Sequence, residues 1–375
     1  MQRYNNNLKP IIKWAGGKEN ELEHILSNMP SSFENYYEPF VGGGSVFTAI
    51  NADTYYINDK SEELVNLYRC VSKEDKKFFY WIEKISSIWD NCFQQTKELK
   101  VIASIYKHYR ESPTESLLNE LLFFVKKDKL SLQKKLCNEI NYDIDFYSSE
   151  ISHVLLRKFS RMRKIEKTRT LMPDEDIFEN IATAFMGTLY TYFRKLYNDK
   201  SYLNRYDGLE TALFVFIRNY AYSGMFRYNR KGDFNVPFGG IAYNGKSLSK
   251  KISYYKSEAL ISLLRKTQVS NLDFEEFLKK YIPNKNDFIF LDPPYDTEFS
   301  TYAKNEFRKE DHVRLANFLC NNCRSKWMLI IKNTPLIVSL YGEKKLNIKS
   351  FDKKYKVSFM NRNNKNAEHL IITNY

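Results

Sequence analysis

Long apolar runs and a secretion signal are both missing from this sequence of 375 residues. No apolar stretch approaches the ~18 residues that a membrane-spanning helix needs. The first ten residues, MQRYNNNLKP, lack the apolar segment of a signal peptide. We therefore expect a cytosolic protein that has no membrane partner.

Cysteine and histidine are also sparse. The five cysteines form an odd, scattered set, which argues against a disulfide framework and fits a reducing compartment. Cys320 and Cys323 have CxxC spacing, but a structural zinc site needs four ligands and the sequence has no second such pair. The five histidines show no HExxH spacing. We expect incidental thiols and no metal site.

Basic residues outnumber acidic residues, which gives a formal net charge of +13 and a pI near 9.2. Hydrophobic residues make up 43% and aromatic residues 16% of the chain, values that exclude a disordered protein. The positive charge favours a polyanionic partner such as nucleic acid. A lysine-rich composition can also serve solubility alone, so charge by itself leaves both interpretations open.

Two predicted strands near the N-terminus end in acidic residues. A helix is predicted over Asn20 to Ser27, then a strand through NYYEPF, and then VGGGSVFTAI, which is typical of a tight turn entering a helix. TYYIND predicts a second strand closed by Asp59, and Ser61 is in position to cap the next helix. This order is typical of the first half of a doubly wound nucleotide-binding fold.

The matching second half lies far along the chain. It begins at TQVSNLDFEEFLKKY and continues through the strand FIFLDPPY, the helix KEDHVRLANFLCNN and the strands KWMLIIKN, KYKVSF and EHLIITNY. The two halves need each other to complete one sheet, so we predict an α/β protein. The roughly 200 residues between the halves are too many for a connecting loop, and they indicate an inserted domain.

We expect three segments: the first part of the α/β domain at 1–65, an inserted domain at 66–262, and the second part of the α/β domain at 263–375. The insert begins with helical patterns rich in lysine. Its segment RKFSRMRKIEKTR, residues 157–169, contains seven basic residues and one acid, Glu166. Such a run is either a solvated helix face or a set of phosphate contacts.

The segment EPFVGGGSVF follows the first predicted strand. Its glycines would let the backbone approach a ligand closely, and the helix behind them would offer free N–H groups. A purely structural turn explains the same residues. A Walker A loop is excluded because no GxxxxGK[ST] occurs. Asp59 lies at the position of an acid that accepts hydrogen bonds from ribose hydroxyls, which predicts a nucleoside-containing cofactor.

The strand FIFL is followed at once by Asp292, two prolines and Tyr295. Because Pro293 has no N–H and restricts the residue before it, the Asp292 carboxylate and a nearby main-chain carbonyl can point the same way. Such a pair of acceptors fits an amino group with two N–H donors. Tyr295 adds a flat ring suited to stacking on a base. On its own the tetrapeptide is more often a simple turn.

Five motifs occur in order along the chain: KWAGGK (13–18), EPFVGGGSVF (38–47), RYNRKGDFNVPFGG (227–240), FIFLDPPY (288–295) and EHLIITNY (368–375). Together they resemble the Dam-like DNA adenine N6-methyltransferases of the D12 class, with the α order of motifs. The matches cover the first 60 residues and the chain from about 211 onward, and residues 70–205 have no match. The resemblance implies a Rossmann-like methyltransferase fold with a large inserted, mainly helical target-recognition domain that contains a β-hairpin.

The resemblance also implies the cofactor S-adenosyl-L-methionine. The residues it assigns to cofactor binding are Trp14, Lys18, Glu38, Phe40, Gly42, Gly44, Asp59, Asp273 and Phe274. In this assignment Asp59 holds the ribose, and Asp273 and Phe274 take the cofactor adenine by its edge and its face.

The catalytic pocket implied by the resemblance consists of Asp292, Pro293 and Tyr295. The lone pair of an adenine N6 is delocalised into the ring, and hydrogen bonds to the Asp292 carboxylate and the Pro293 carbonyl would localise it. Direct in-line attack on the sulfonium methyl then needs no covalent enzyme intermediate. The target base would first be flipped out of the duplex and stacked on Tyr295.

Double-stranded DNA is the implied substrate of a nucleoid-associated enzyme from a prokaryote or a phage. The residues we expect to read DNA lie in one predicted hairpin with a Gly-Asp turn: Ser223, Arg227, Asn229, Arg230 and Lys231. A plain surface hairpin is the alternative. The chain departs from the family pattern at Ser223, where many members have Asn, so no recognition sequence can be transferred.

Several alternatives to DNA adenine methylation are to be weighed on sequence grounds. Relatives that methylate RNA or a protein glutamine more often have Asn at the position of Asp292, and cytosine N4 enzymes more often have Ser. A DNA-binding module without turnover would keep the fold. The sequence also leaves open whether a cognate restriction endonuclease accompanies the enzyme.

Overall fold

The computed structural model describes residues 8–93, 96–117, 119–125, 140, 142–295, 307–354 and 366–375. Its contacts divide the chain into two compact units. The sheet unit contains residues 1–74 and 255–375, and the helical unit contains residues 75–254. The predicted boundaries lie after residues 65 and 262, whereas the two units meet after residues 74 and 254. The functions assigned to the predicted segments stay predictions.

The sheet unit is built on seven strands in the order β3-β2-β1-β4-β5-β7-β6. The strands are β1 Asn35–Glu38, β2 Thr54–Asn58, β3 Thr267–Ser270, β4 Phe288–Leu291, β5 Lys326–Lys332, β6 Asn347–Lys354 and β7 Asn366–Thr373. The first five in this spatial order pair in parallel, whereas β7 is antiparallel to both β5 and β6. Both ends of the chain therefore supply strands to one sheet, as predicted for this α/β protein.

The helices are named in chain order. They are α1 Leu22–Asn28, α2 Glu62–Ser72, α3 Lys76–Phe93, α4 Thr96–Glu111, α5 Ile144–Thr168, α6 Asp174–Asn198, α7 Lys200–Leu203, α8 Leu209–Tyr220, α9 Ser249–Tyr255, α10 Glu258–Arg265, α11 Phe274–Tyr281, α12 Lys309–Asn317 and α13 Pro335–Tyr341. Residues 115–117 and 119–125 are also helical. None of the described helices is long and apolar enough to cross a membrane.

The local sequence explains where the central elements begin and end. All four residues of β4 are buried, and so are the five inner residues of β5, which is the burial expected for parallel strands covered on both faces. The Ser61 hydroxyl accepts a hydrogen bond from the Leu64 N–H at 3.4 Å, so the predicted cap of α2 is confirmed. Pro293 follows β4 and ends its ladder.

Two predictions about the sheet unit need correction or completion. The glycine turn does not enter a regular α-helix, because only the 3₁₀ turn Phe47–Ala49 follows it. The residues that follow the glycines are described, and they do not form an α-helix whose N-terminal N–H groups could bind an anion. The predicted strand KYKVSF lies outside the described residues except for Lys354, the last residue of β6.

The helical unit is centred on aromatic side chains. Helices α3, α6 and α8 contact one another, and α5 packs on α6. Trp89 of α3 lies against Phe216 and Tyr220 of α8, with ring centroids 5.1 and 4.1 Å apart. Its indole N–H donates to the Lys246 carbonyl at 3.0 Å, which satisfies its one polar group. The described residues of this unit are mainly helical.

The β-hairpin predicted within residues 218–240 is less regular than expected. All of these residues are described, and their antiparallel pairing is limited to the isolated bridges Tyr228 with Phe234 and Ala221 with Phe238, without a strand. A tight turn still reverses the chain, since the Gly232 N–H donates to the Asn229 carbonyl at 3.0 Å. Gly232 has φ +84, a conformation that glycine adopts without strain. The segment is a turn held by side chains rather than by a ladder.

Candidate active site at the carboxyl edge of the sheet

The strand order changes direction between β1 and β4. From β1 the chain builds outward through β2 to β3 on one side, and β4 and β5 lie on the other side. Ligands of open α/β sheets bind at such a switch point, beyond the carboxyl ends of the strands. Glu38 is the last residue of β1, and Asp292 follows the last residue of β4. Two carboxyl groups therefore flank the switch point of this sheet.

The Lys18 ammonium group links the loop before α1 to the end of β4. Its Nζ donates a short hydrogen bond to the Asp292 carboxylate and further bonds to the Gly16 carbonyl at 2.9 Å and the Tyr295 hydroxyl at 3.3 Å. The side chain of Lys18 is 3% exposed and that of Asp292 is 18% exposed. Burial alone would lower the pKa of Lys18, but Asp292 and Tyr295 outweigh burial and raise it. Lys18 is thus held as a cation beside Asp292.

Glu38 is fully enclosed in the sheet unit. Its Oε2 accepts a hydrogen bond from the Tyr36 hydroxyl at 2.9 Å. Burial and the nearby charge of Asp292 raise the pKa of Glu38 well above its ordinary value, although Tyr36 opposes the shift. A cationic ligand group beside Glu38 would favour its ionised form.

The glycine turn is packed so tightly that its glycines are required by the protein itself. Gly44 has φ +81, and a Cβ there would lie 2.5 Å from the Tyr68 hydroxyl, which donates to the Gly42 carbonyl at 3.0 Å. A Cβ at Gly42, where φ is +51, would lie 2.9 Å from Cδ1 of Trp14. The structural interpretation of this turn therefore explains the glycines, and Trp14 is brought against the turn.

Asp59, one residue beyond β2, accepts a hydrogen bond from the backbone of the glycine turn. One carboxylate oxygen accepts from the Gly42 N–H at 3.0 Å and the other from the Ser61 N–H at 2.8 Å. Burial raises the pKa of Asp59 to about 6 despite these two bonds. The carboxyl group stays ionised at neutral pH and keeps acceptor capacity for a further hydroxyl group.

An aromatic cluster lies beside the switch point. The ring centroids of Phe40, Phe274 and Phe307 are 5.6 to 5.8 Å apart. Phe307 was not predicted, since nothing in its neighbouring sequence distinguishes it from an ordinary apolar residue. Phe40 and Phe274, both predicted to contact the cofactor, are thus brought together.

Asp273 has structural partners of its own. It caps α11 by accepting from the Glu275 N–H at 3.0 Å, and Arg314 donates to it at 2.7 Å. Partial burial opposes ionisation, but the hydrogen bond from Arg314 prevails and lowers the pKa of Asp273. The guanidinium group of Arg314 also lies 4.9 Å from the ring centroid of Phe274. Arg314 is a residue that sequence reasoning missed, because its partners are distant in the chain.

Tyr295 lies at the last described position before residue 307. Its ring meets His369 of β7 edge-on, with centroids 5.2 Å apart, and the Lys18 Nζ lies 5.6 Å from the ring centroid. Pro293 between Asp292 and Tyr295 is buried. The three predicted catalytic residues and Lys18 therefore form one contiguous group.

The residues predicted to read DNA lie in the helical unit. Arg230 and Lys231 are exposed at the tip of the turn. Asn229 is committed to the turn, since its Oδ1 accepts from the N–H groups of Lys231 and Asp233, both at 2.9 Å. Arg227 donates from Nε to Asn235 at 3.0 Å. Arg227, Arg230 and Lys231 are all exposed, and no ion pair is described for any of them.

Ser223 has a left-handed backbone conformation, with φ 52 and ψ 17. This region of conformational space is uncommon for residues other than glycine, and asparagine enters it more readily than serine. The Ser223 side chain is exposed. The Asn expected at this position from the family resemblance would therefore adopt this backbone conformation more readily than Ser223 does.

A doubly wound sheet with carboxyl groups beside its switch point is an architecture that many nucleotide-binding proteins share. Comparison with protein families defines the class further. The family model described as D12 class N6 adenine-specific DNA methyltransferase matches residues 14–357. The chain belongs to this family of DNA adenine N6-methyltransferases.

Named relatives extend over almost the whole chain. Type II methyltransferase M.CviBI of Paramecium bursaria Chlorella virus NC1A is 25% identical over 374 residues, which cover 98% of this chain and 100% of the relative. Type II methyltransferase M1.LlaDCHI of Lactococcus lactis subsp. cremoris is 24% identical, with 100% and 98% covered. A DNA adenine methylase of Vibrio cholerae serotype O1 is 21% identical over 349 residues, with 91% and 87% covered. The similarity includes residues 70–205, for which motif comparison found no match.

Proposed function

We propose that this chain transfers the methyl group of S-adenosyl-L-methionine to the N6 amino group of an adenine flipped out of double-stranded DNA. The observation that carries the proposal is the group formed by Asp292, Pro293 and Tyr295 at the switch point of the sheet. Family membership supplies the reaction class. The relatives named type II methyltransferases support a role in restriction-modification, with a cognate endonuclease as a partner.

The donor set at the carboxyl edge fits the proposed cofactor. S-adenosylmethionine carries a cationic ammonium group and two ribose hydroxyls, and when bound it supplies a methyl group made electrophilic by a sulfonium. The buried Glu38 carboxyl suits the ammonium group, and the Asp59 carboxylate suits a hydroxyl donor. Trp14, Phe40 and Phe274 would provide apolar contacts, together with the backbone from Gly42 to Gly44.

Asp292 and Pro293 would act on the target amino group as two acceptors. Lys18 donates to one Asp292 oxygen, and we assign the carboxylate as the acceptor of an N–H of the base. Two hydrogen bonds from N6 oppose delocalisation of its lone pair and direct that lone pair towards the methyl group. As the N–C bond forms, the bond between the sulfonium sulfur and the methyl group would break to leave a neutral thioether, and N6 would lose one proton to the Asp292 carboxylate or to water. Tyr295 would stack on the flipped base and compensate part of the cost of unstacking.

Lys18 has a different proposed role from the cofactor contact expected from the sequence. Its three donors are used by Asp292, Tyr295 and Gly16. It would orient the Asp292 carboxylate within the group by donating a hydrogen bond to one of its oxygens. We assign it as a positioning residue for Asp292.

The helical unit is proposed to contain the target-recognition function. Arg230 and Lys231 are exposed at a turn, which suits contact with a groove or with phosphates. Asn229 is proposed to shape the turn rather than to read a base, because its amide oxygen already accepts two backbone N–H groups.

Sequencing of modified bases tests the proposed function directly. Genomic DNA from a methylation-free bacterial host expressing the wild type should carry N6-methyladenine at one short motif. The Asp292→Asn variant keeps the size of the side chain but loses the charge, and we expect no modification with it. If folded wild-type protein binds S-adenosylmethionine and modifies no DNA, the substrate assignment is wrong and RNA or protein becomes the substrate to examine.

A further inference from the structure

The basic run at residues 157–169 occupies the last turns of α5, and the structure separates its side chains onto two faces. Arg157, Arg161, Lys164 and Lys167 are exposed, whereas Phe159 and Met162 are buried. Residues three and four apart lie on the same side of an α-helix. The exposed cations therefore follow one another along the outer surface of α5, and we call these four residues the basic stripe.

The acid within this run does not neutralise the basic stripe. Glu166 is on the inner face and is only 8% exposed. It accepts hydrogen bonds from the Tyr106 hydroxyl at 2.6 Å, from Arg110 at 3.3 Å and from the Met172 N–H at 2.9 Å. The Glu166 carboxylate is thus hydrogen-bonded inside the helical unit, where these bonds connect α4 to the end of α5.

The outer cations have few acidic neighbours. Within the part of the chain that the structure describes, no acid lies within ion-pair distance of Arg161, Lys164 or Lys167. Arg157 has one partner, Glu150, at 3.5 Å. Burial and the charge of Arg161 lower the pKa of the neighbouring Lys158, as expected where positive charge accumulates. The basic stripe is therefore a concentration of positive charge without matching counter-charges.

We propose that the basic stripe is a contact surface for the phosphate backbone of duplex DNA. Arg157 and Lys164 lie about 10 Å apart along the helix axis at 1.5 Å per residue. A duplex carries one negative charge per ~1.7 Å of its axis, so several phosphates lie within that span. This inference rests on the proposed function, and it extends that function to a helix outside the predicted hairpin.

Two features of α5 favour nucleic acid over a membrane surface. Membrane-surface helices present a large apolar face to lipid beside their basic residues. The apolar residues of α5, including Ile151, Leu155 and Phe159, are instead buried in the helical unit. The arginines among the exposed cations also suit phosphate, which they can contact through two donors at once.

The test compares the full-length wild type with the double variant Arg161→Gln/Lys164→Gln. Binding of a fluorescent duplex is measured by anisotropy from 50 to 300 mM salt, in the presence of a non-reactive cofactor analogue. We expect the slope of log affinity against log salt to become less steep by about one for each lost phosphate contact, so by about two in total. Affinity at the lowest salt should fall at least tenfold. The methylation rate at saturating DNA should stay within twofold of the wild type.

Lys107→Gln provides the matched control. Lys107 is on α4 of the same helical unit and is already paired with Asp174 at 2.7 Å, so its loss changes net charge without removing an uncompensated cation. An unchanged salt slope in the double variant overturns the proposal. An equal change in Lys107→Gln also overturns it, since net charge would then explain both results. If the wild type methylates no DNA, the proposed function fails as well, and that result is visible before any variant is compared.

Discussion

At the scale of single residues, the candidate site depends on how Lys18 and Asp292 share their charges. Replacing Lys18 by Met removes the cation but keeps a long, buried apolar chain. Without the cation, the Asp292 carboxylate loses a hydrogen-bond donor and its orientation is no longer restrained. We expect turnover to fall about a hundredfold, while the affinity for S-adenosylmethionine changes by less than threefold. Single-turnover methylation and calorimetric cofactor binding measure the two effects separately.

Lys285→Met is the control for this experiment, because Lys285 is an exposed lysine in the same unit. It should leave both quantities unchanged. A large loss of cofactor affinity in Lys18→Met with normal turnover at saturation would contradict the positioning role. Such a result would favour the direct cofactor contact that the family resemblance implies.

The raised pKa of Asp59 predicts that cofactor affinity depends on pH. Its pKa is raised to about 6, and a carboxylate accepts hydroxyl hydrogen bonds better than a protonated carboxyl group does. Above pH 6 the ionised form prevails and affinity should be constant with respect to this group. Below pH 6 the affinity for S-adenosylmethionine should weaken, approaching tenfold for each further pH unit. Calorimetric titrations between pH 4.5 and 8 measure this trend.

The variant Asp59→Asn identifies the group responsible. It cannot titrate, so its weaker affinity should no longer change around pH 6. A pH dependence that persists in Asp59→Asn would assign the titration to another carboxyl group, for which Glu38 is the candidate because its pKa is also raised. In that case Asp59 would not be the group whose titration changes the cofactor affinity.

At the scale of elements, the turn after α8 contains a backbone conformation that its side chain does not favour. Ser223 has φ 52, and Asn adopts this region more readily. We expect Ser223→Asn to stabilise the protein by about 0.5 kcal/mol. Ser223→Val should destabilise it by at least ~1 kcal/mol, because a β-branched side chain is most strained there. Urea unfolding of the full chain compares the three proteins, and equal stability of all three would show that the turn relaxes to another conformation.

The elements around the switch point can be predicted from sequence because their signals are local. A continuous apolar run predicts a buried parallel strand, and proline after Asp292 marks where β4 must end. Ser61 is recognisable as a cap from its side-chain chemistry and the helical pattern that follows. The amino-acid sequence alone is therefore enough to locate the acidic residues at the ends of β1, β2 and β4.

The remaining features depend on contacts between distant residues. Arg314 meets Asp273 across 41 positions, and Glu166 meets Tyr106 across 60. No local sequence pattern predicts such a contact. The sequence therefore predicts Asp273 as a cofactor ligand but does not predict its hydrogen bond with Arg314. The segment 218–240 predicts a regular hairpin because its residues favour reversal of the chain. The segment was expected to be held by pairing of two strands. It is held instead by side-chain hydrogen bonds, such as the two that Asn229 accepts.

At the scale of the whole molecule, two compact units should respond differently to the cofactor. The residues proposed to hold S-adenosylmethionine all belong to the sheet unit. A ligand present at a hundred times its Kd stabilises the unit that binds it by about 2.7 kcal/mol. We expect hydrogen exchange to slow at β1, β2 and the glycine turn on addition of cofactor, with little change in α5 and α6. Equal protection in both units would contradict the assignment of the cofactor residues to the sheet unit alone.

The order of the strands also has a consequence for synthesis on the ribosome. β1 lies between β2 and β4, yet roughly 230 residues, including the whole helical unit, are translated between β2 and β4. At ~5 to 20 residues per second, the nascent chain spends about 10 to 45 s with one edge of β1 unpaired. Exposed edges of apolar strands promote aggregation. The growing chain therefore passes through a long interval in which Tyr36 and Tyr37 of β1 need shielding, by a chaperone or by early collapse of the N-terminal segment.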